Sequence, residues 1–150
     1  MSMHIKADWK GDHRFDTGRP GGPVARLDGS AETGQSPMDA LLSALAACSG
    51  VDVVDILGKR RTPPERFSID VQGTRRETPP RRYTHIVARF IIDGGAIEPV
   101  HAERAIALAF EKYCSVSATL APDVALESIL ILNGTEHQPV RHAIGMPLEV

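Results

Sequence analysis

The chain has 150 residues, 42% of them hydrophobic and 24% charged, with a formal net charge of −2. That size supports one ordinary core, with roughly two-thirds of the unfolded surface withdrawn from water. The composition argues against a disordered chain, the near-neutral balance supplies no global field for nucleic acid, and two cysteines are too few to staple a small secreted domain.

Alternation over residues 3–9 predicts a short strand. The stretch GDHRFDTGRPGGPVARLDGS follows. Its Gly18, Pro20, Gly21, Gly22 and Pro23 favour a tight turn between two more short strands at residues 14–17 and 24–28. The first helix has clear start signals. Ser36 is a good N-cap, Pro37 suits the first helical position, and Asp39 sits three residues after the cap, as in a capping box. From Ala40 to Ala47 apolar residues cover almost the whole circumference, so this helix is expected to be buried on most sides. It ends at Gly58-Lys59-Arg60-Arg61 and Pro63-Pro64. Interrupted by Asp52 and Asp55, its apolar run reads as too short to cross a bilayer.

Alternation returns in RFSIDVQGTRR, with Phe67, Ile69 and Val71 on one face. It returns again in RRYTHIVARFIIDG, where Tyr83, His85, Val87 and Arg89 share one face and Thr84, Ile86, Ala88, Phe90 and Ile92 the other. The proline-containing segment between them makes these a hairpin. A second helix follows, with Pro99 in its first turn and Ala102, Ala105/Ile106, Ala109 and Tyr113 on one stripe. Residues 124–132 read as a final strand, and the tail after Asn133-Gly134 as a loop or an arm on a partner chain. The order βββ-α-ββ-α-β indicates an α+β fold rather than a doubly wound parallel sheet. The expected organisation is one domain: N-terminal strands over 1–35, a central helix over 36–61, hairpin, second helix and last strand over 66–132, and a tail over 133–150.

The chemistry centres on two cysteines 66 residues apart, Cys48 inside the first helix and Cys114 at the end of the second. The N-terminal MSMHIKADWKG has no apolar core for insertion and cleavage, so both thiols are expected in a reducing cytosol, where a structural disulfide is disfavoured. Each is either a small apolar plug or a redox group. Cys48 lies one turn before Asp52, with Asp55 a further turn on. Burial and nearby carboxylates both disfavour a thiolate, so an active Cys48 needs a cation from elsewhere in the fold. His137 and His142 have no cysteine or paired acid at ligand spacing and read as a surface pair rather than a zinc site. His85 is a core residue or a polar handle over a pocket. The basic RRETPPRR reads as an exposed hairpin tip, without the interleaved aromatics of a single-strand binder.

The two cysteine segments together carry a resemblance. SPMDALLSALAAC resembles the N-P-E-x-L-x-x-A-x-x-x-x-C helix start of the OsmC/Ohr family, the osmotically inducible and organic hydroperoxide resistance proteins. EKYCSVSATL resembles that family's second cysteine element, with Ser115 where a proline is usual. DVVDILGKRR, RRETPPRR and YTHI are similar to its YhfA-like branch. The resemblance implies an OsmC-like fold in an intertwined homodimer, and no cofactor or metal. It implies a thiol peroxidase in which Cys48 attacks an organic hydroperoxide and Cys114 resolves the sulfenic acid. A dithiol such as dihydrolipoamide, or a lipoylated protein, is the implied reductant; neither nucleic acid nor membrane is an expected partner, and the location is cytoplasmic. The family's activating Glu falls on Met38, with Asp39 adjacent. Its activating Arg is matched by Arg19, with Arg14 and Arg26 as rivals. Leu41, Leu45 and Tyr83, with Met38 and Asp39, are the expected substrate-contacting residues. The departure at Met38 also suggests an alternative, a dimer with weak or no catalysis that binds or senses a small apolar ligand.

Overall fold

The structure is a computed structural model that describes residues 1–146. The chain forms two compact units, Met1–Ser43 and Ala44–Val150, with the first helix running through the boundary. In the first unit β1 (Lys6–Trp9), β2 (Arg14–Gly18) and β3 (Ala25–Asp28) make an antiparallel meander in that order. Few apolar side chains are buried in it: Trp9 and Phe15 remain 66% and 40% exposed. Polar contacts carry it instead. The Asp28 carboxylate accepts from the backbone N–H groups of Ser30 and Thr33 and from the Thr33 hydroxyl. These bonds hold its carboxyl down at about 2. Arg26 Nε donates to Asp16 Oδ1 across the β2–β3 pair at 2.6 Å.

α1 (Pro37–Lys59) begins with the expected capping box. Asp39 N–H donates to Ser36 Oγ at 3.1 Å, and Ser36 N–H to Asp39 Oδ2 at 3.0 Å. Two of the helix's orphan donors are thereby satisfied reciprocally. At 23 residues, α1 is long and apolar enough to cross a bilayer by length and composition alone, contrary to the sequence expectation. A core helix passes the same test, and Leu45, Val53 and Leu57 are all within 1% of complete burial. The helix is less enclosed than expected, however: Ala44, Ala47, Val51 and Val54, on one stripe, are exposed in the single chain.

The second unit is a mixed sheet backed by helices. β4 (Arg66–Arg75) and β5 (Tyr83–Asp93) form the expected hairpin. β5 then crosses over through α2 (Pro99–Leu108) to the parallel strand β6 (Ala125–Leu132). Ile86, Ala88, Phe90 and Ile92 point into the core as their alternation predicts. Tyr83 does not stay on the outer face with His85: the β4 pairing steps from Thr74–His85 to Arg75–Tyr83, and this bulge at Thr84 turns Tyr83 inward to 7% exposure. A bulge adds one residue and reverses the alternation beyond it. Where α1 crosses β4, a Cβ on Gly50 would stand 3.1 Å from Ile69 Cδ1 and 3.9 Å from Phe67, so glycine permits the close approach.

Two departures from the predicted order lie C-terminal to α2. The helix widens at once into a single π-turn (Ala109–Tyr113), closed by Cys114 N–H donating to Ala109 C=O at 2.7 Å. The extra residue carries Tyr113 off the buried stripe and leaves it 51% exposed, while Ala102, Ala105, Ile106 and Ala109 are buried as expected. A short α3 (Ser115–Thr119) follows. The tail is neither loop nor arm over its described part. Asn133-Gly134, at φ 49° and 82°, makes the two-residue turn that favours positive φ. β7 (Thr135–Glu136) and β8 (Val140–His142) then pair antiparallel with β6. Residues 147–150 of the predicted tail lie outside the described residues.

Candidate functional site

Cys48 lies mid-way along α1, half-buried, with Asp52 one turn further on. Cys114 arrives from the other side of the same unit. It sits in extended conformation between the π-turn and α3, 2% exposed. Its position is fixed by backbone bonds on both flanks. Ser117 N–H donates to Cys114 Sγ at 3.4 Å, and Ser117 Oγ donates to the carbonyls of Cys114 and Phe110, each at 3.0 Å. The two sulfurs and a carboxylate oxygen of Asp52 all lie within 4.8 Å of one another. Among the described residues this is the one group of three or more His, Cys, Asp or Glu side chains close enough to share an ion.

Burial sets the electrostatics of Cys114 and Asp52. Burial pushes the Cys114 thiol above its ordinary range, partly offset by the Ser117 N–H, while the adjacent Cys48 thiol pushes it further the same way. Burial also raises the Asp52 carboxyl, helped by the like charge of Asp55. Asp52 Oδ2 is shut off from solvent and has no hydrogen-bond partner. Both groups therefore hold protons more tightly than their free counterparts. Of the three groups Asp52 alone lines a cleft of about 500 Å³ between α1 and α2, with Lys59, Arg60, His101, Arg104 and Tyr113 among its other walls.

Other predicted residues lie as follows. Asp39 is committed to the capping box, and Met38 beside it is half-buried. Leu41 is 36% exposed, but Leu45, at 1%, is a core side chain in the single chain and Tyr83 is turned inward by the bulge, so neither presents surface to a ligand there. Arg14 donates to the carbonyls of Gly11 and Lys10 in its own turn. Arg26 is held by Asp16, whereas Arg19 is exposed at the Gly18–Gly22 turn with no side-chain hydrogen bond or ion pair among the described residues. His85 is half-exposed and faces Glu127 at 3.5 Å. The arginines of the hairpin tip bond largely within their own loop, as with Arg75 to the Arg81 carbonyl and Arg81 to the Glu77 carbonyl. His142 is no surface residue: it is 3% exposed, with Nε2 2.7 Å from Ser128 Oγ.

With that geometry in place, comparison decides the family. The profile described as OsmC-like protein matches residues 29–128, a span that takes in both cysteines. The chain belongs to the OsmC family. It is 35% identical over 119 residues to Protein YhfA of Escherichia coli strain K12, covering 79% of this chain and 89% of that one. The fold matches the crystal structure of a hypothetical protein from Aquifex aeolicus VF5, with TM-score 0.79, 30% identity, and coverage of 89% and 98% of the two chains. An OsmC-like protein from Mycoplasma pneumoniae has the same fold at 17% identity, with TM-score 0.76 and coverage of 88% and 97%. The α+β, OsmC-like fold expected from the two cysteine segments is therefore the one this family member adopts. Sequence reasoning named Asp52 as a neighbour of Cys48 but not as part of a site. Its i+4 spacing was the local signal; what was missing was the return of Cys114 to the same turn.

Proposed function

We propose that this OsmC-family chain is a thiol-dependent redox protein that reduces organic hydroperoxides through Cys48 and Cys114. The observation that carries the reading is the approach of the two sulfurs to within 4.8 Å from segments 66 residues apart. In the first step Cys48 ionises, its thiolate attacks the peroxide, the O–O bond breaks, the alkoxide leaves as alcohol by taking up the proton the thiol released, and Cys48 becomes a sulfenic acid. Cys114 then attacks that sulfur, an S–S bond forms, and water leaves with the Cys114 proton. A dithiol of the dihydrolipoamide type, free or on a lipoylated protein, returns two electrons and two protons by exchange. Burial suits Cys114 to the second step, because a thiol held protonated waits for the sulfenic acid rather than competing for peroxide.

Arg19 is the guanidinium we assign to thiolate stabilisation, since Arg14 and Arg26 are engaged within their own hairpins. The exposed stripe of Ala44, Ala47, Val51 and Val54 supports an intertwined homodimer in which a second copy covers α1, with Leu41 at the edge of an apolar peroxide pocket. The proposed location is the cytoplasm. A second reading, a ligand-binding or sensing dimer with weak catalysis, is favoured by one observation. Asp39, the carboxylate next to Met38 in the sequence, is occupied in the capping box.

Mass spectrometry of the reduced protein after stoichiometric cumene hydroperoxide separates the two. The peroxidase reading expects a loss of two hydrogens, mapped to Cys48–Cys114 and reversed by a dithiol, and no turnover in Cys48→Ser. An unchanged mass with both thiols intact sinks that reading and leaves the binding dimer.

A further inference from the structure

A peroxidase needs the two sulfurs to meet. It does not need a carboxylate against them, and a buried carboxylate oxygen with no partner is costly. Asp52 Oδ2 is such an atom, and the same carboxylate places an oxygen within 4.8 Å of both sulfurs. Two thiols and one carboxylate at that spacing are the donor set of a borderline-soft divalent ion. In a tetrahedral zinc site the sulfur and oxygen ligands stand roughly 3.5–3.8 Å apart. Closing the triangle from 4.8 Å to that spacing is a change of roughly 1 Å per pair.

We propose that reduced Cys48, Cys114 and Asp52 form a three-ligand site for a thiophilic divalent cation such as Zn²⁺, with the fourth position open towards the cleft between α1 and α2. Binding exchanges two thiol protons for the metal: two S–H bonds break, two metal–sulfur bonds form, two protons leave, and no electrons move. The Asp52 carboxylate, one oxygen of which is buried without a hydrogen-bond partner, gains a ligand. Three protein ligands with an open fourth position are the arrangement of sites that take an exogenous ligand rather than of closed structural ones. Of the three ligands Asp52 lines the 500 Å³ cleft, so the proposed exogenous ligand approaches from the Asp52 side.

The site and the disulfide exclude each other. Once both sulfurs are oxidised to an S–S bond, neither is a thiolate ligand, so peroxide ejects the metal and the metal shields the thiols from peroxide. The proposal uses the same three groups as the redox reading but does not rest on it. A chain that never turns over peroxide still has the donor set.

The test is an anaerobic titration of the reduced full-length protein with Co²⁺, followed by its absorption spectrum and repeated in competition with Zn²⁺. One equivalent is expected to bind with thiolate-to-cobalt charge-transfer absorption, to be displaced by Zn²⁺, and to be absent after oxidation to the disulfide. Asp52→Asn, which keeps size and shape, is expected to keep the fold and weaken binding about tenfold or more. Cys48→Ser and Cys114→Ser are each expected to lose the charge-transfer band, with circular dichroism checking that they fold. The proposal is overturned if the reduced wild type gives no charge-transfer band, or if Asp52→Asn binds as tightly as wild type. Peroxide turnover measured separately with a chelator present keeps the outcomes apart: it can stand when metal binding fails, and fail when metal binding stands.

Discussion

The two units of this chain are stabilised by different physics. In the second, five strands and their helices enclose Phe90, Ile92, Ile106, Leu126 and Leu130, each fully buried, with Phe90 stacked against Phe67 and edge-on to Phe110. In the first, the three-stranded meander leaves Trp9 and Phe15 largely in solvent and is fastened by carboxylates: Asp28 on its own loop, Asp16 on Arg26, and Asp39 on the start of α1. Cys48 and Cys114 sit in the unit governed by apolar packing, while Arg19, the cation proposed to tune them, comes from the unit governed by hydrogen bonds. Apolar contacts carry no titrating group, whereas carboxylate hydrogen bonds respond to pH.

Breaking the apolar side should have the largest effect. Phe90→Ala removes the ring that two other aromatics touch, and is expected to cost about 3–5 kcal/mol in urea unfolding. Next comes the buried His142. Burial holds its pKa below the ordinary 6.5, with Glu111 pulling partly the other way, so the folded state binds fewer protons than the unfolded one over that interval. Stability from this group is complete above about pH 6.5 and declines as pH falls from there towards the folded value. Melting temperatures taken between pH 8 and 5 should drop on the acid side in wild type and flatten in His142→Gln, which can still meet Ser128.

Ser36→Ala tests the capping box and is expected to cost about 1 kcal/mol. Asp28 sharpens the comparison from the other side. Its carboxyl is held at about 2, so its contribution persists until well into acid and is lost only as pH falls below 3.8 towards 2. Amide exchange in Asp28→Asn should accelerate over residues 29–33 and leave β5 and β6 unchanged; faster exchange across both sheets would mean that the units do not behave separately. The smallest effect belongs to Arg82→Gln, which breaks an exposed pair with Asp123 and should change unfolding by no more than about 0.5 kcal/mol.

How much of this was legible in the sequence follows from the range of each interaction. The capping box, the β4–β5 hairpin and the buried faces of β5 and α2 are written in residues a few positions apart, and local spacing identified them. The bulge at Thr84 left no such trace, because Tyr83 turns inward only through the stepped pairing with Thr74 and Arg75. β8 was hidden for the same reason: its three residues become a strand by lying on β6, and His142 becomes a core residue only beside Ser128. At the candidate site both cysteines were identified through their segments. The join with Asp52 was not, since it depends on where a chain 66 residues further on returns.

The π-turn before Cys114 sets that return. Each residue added to a helix rotates everything after it by about 100°, and the five-residue loop closed on Ala109 holds one more residue than an α-turn would. The bearing of the second thiol is thus a matter of counting rather than of residue type. Substitutions along Glu111, Lys112 and Tyr113 leave the count intact, whereas losing a single residue there would put the helix back in phase and swing Cys114 away from Cys48. The wide turn acts as a phase shifter, and the indel, more than the point mutation, is the change to which this pair of thiols is vulnerable.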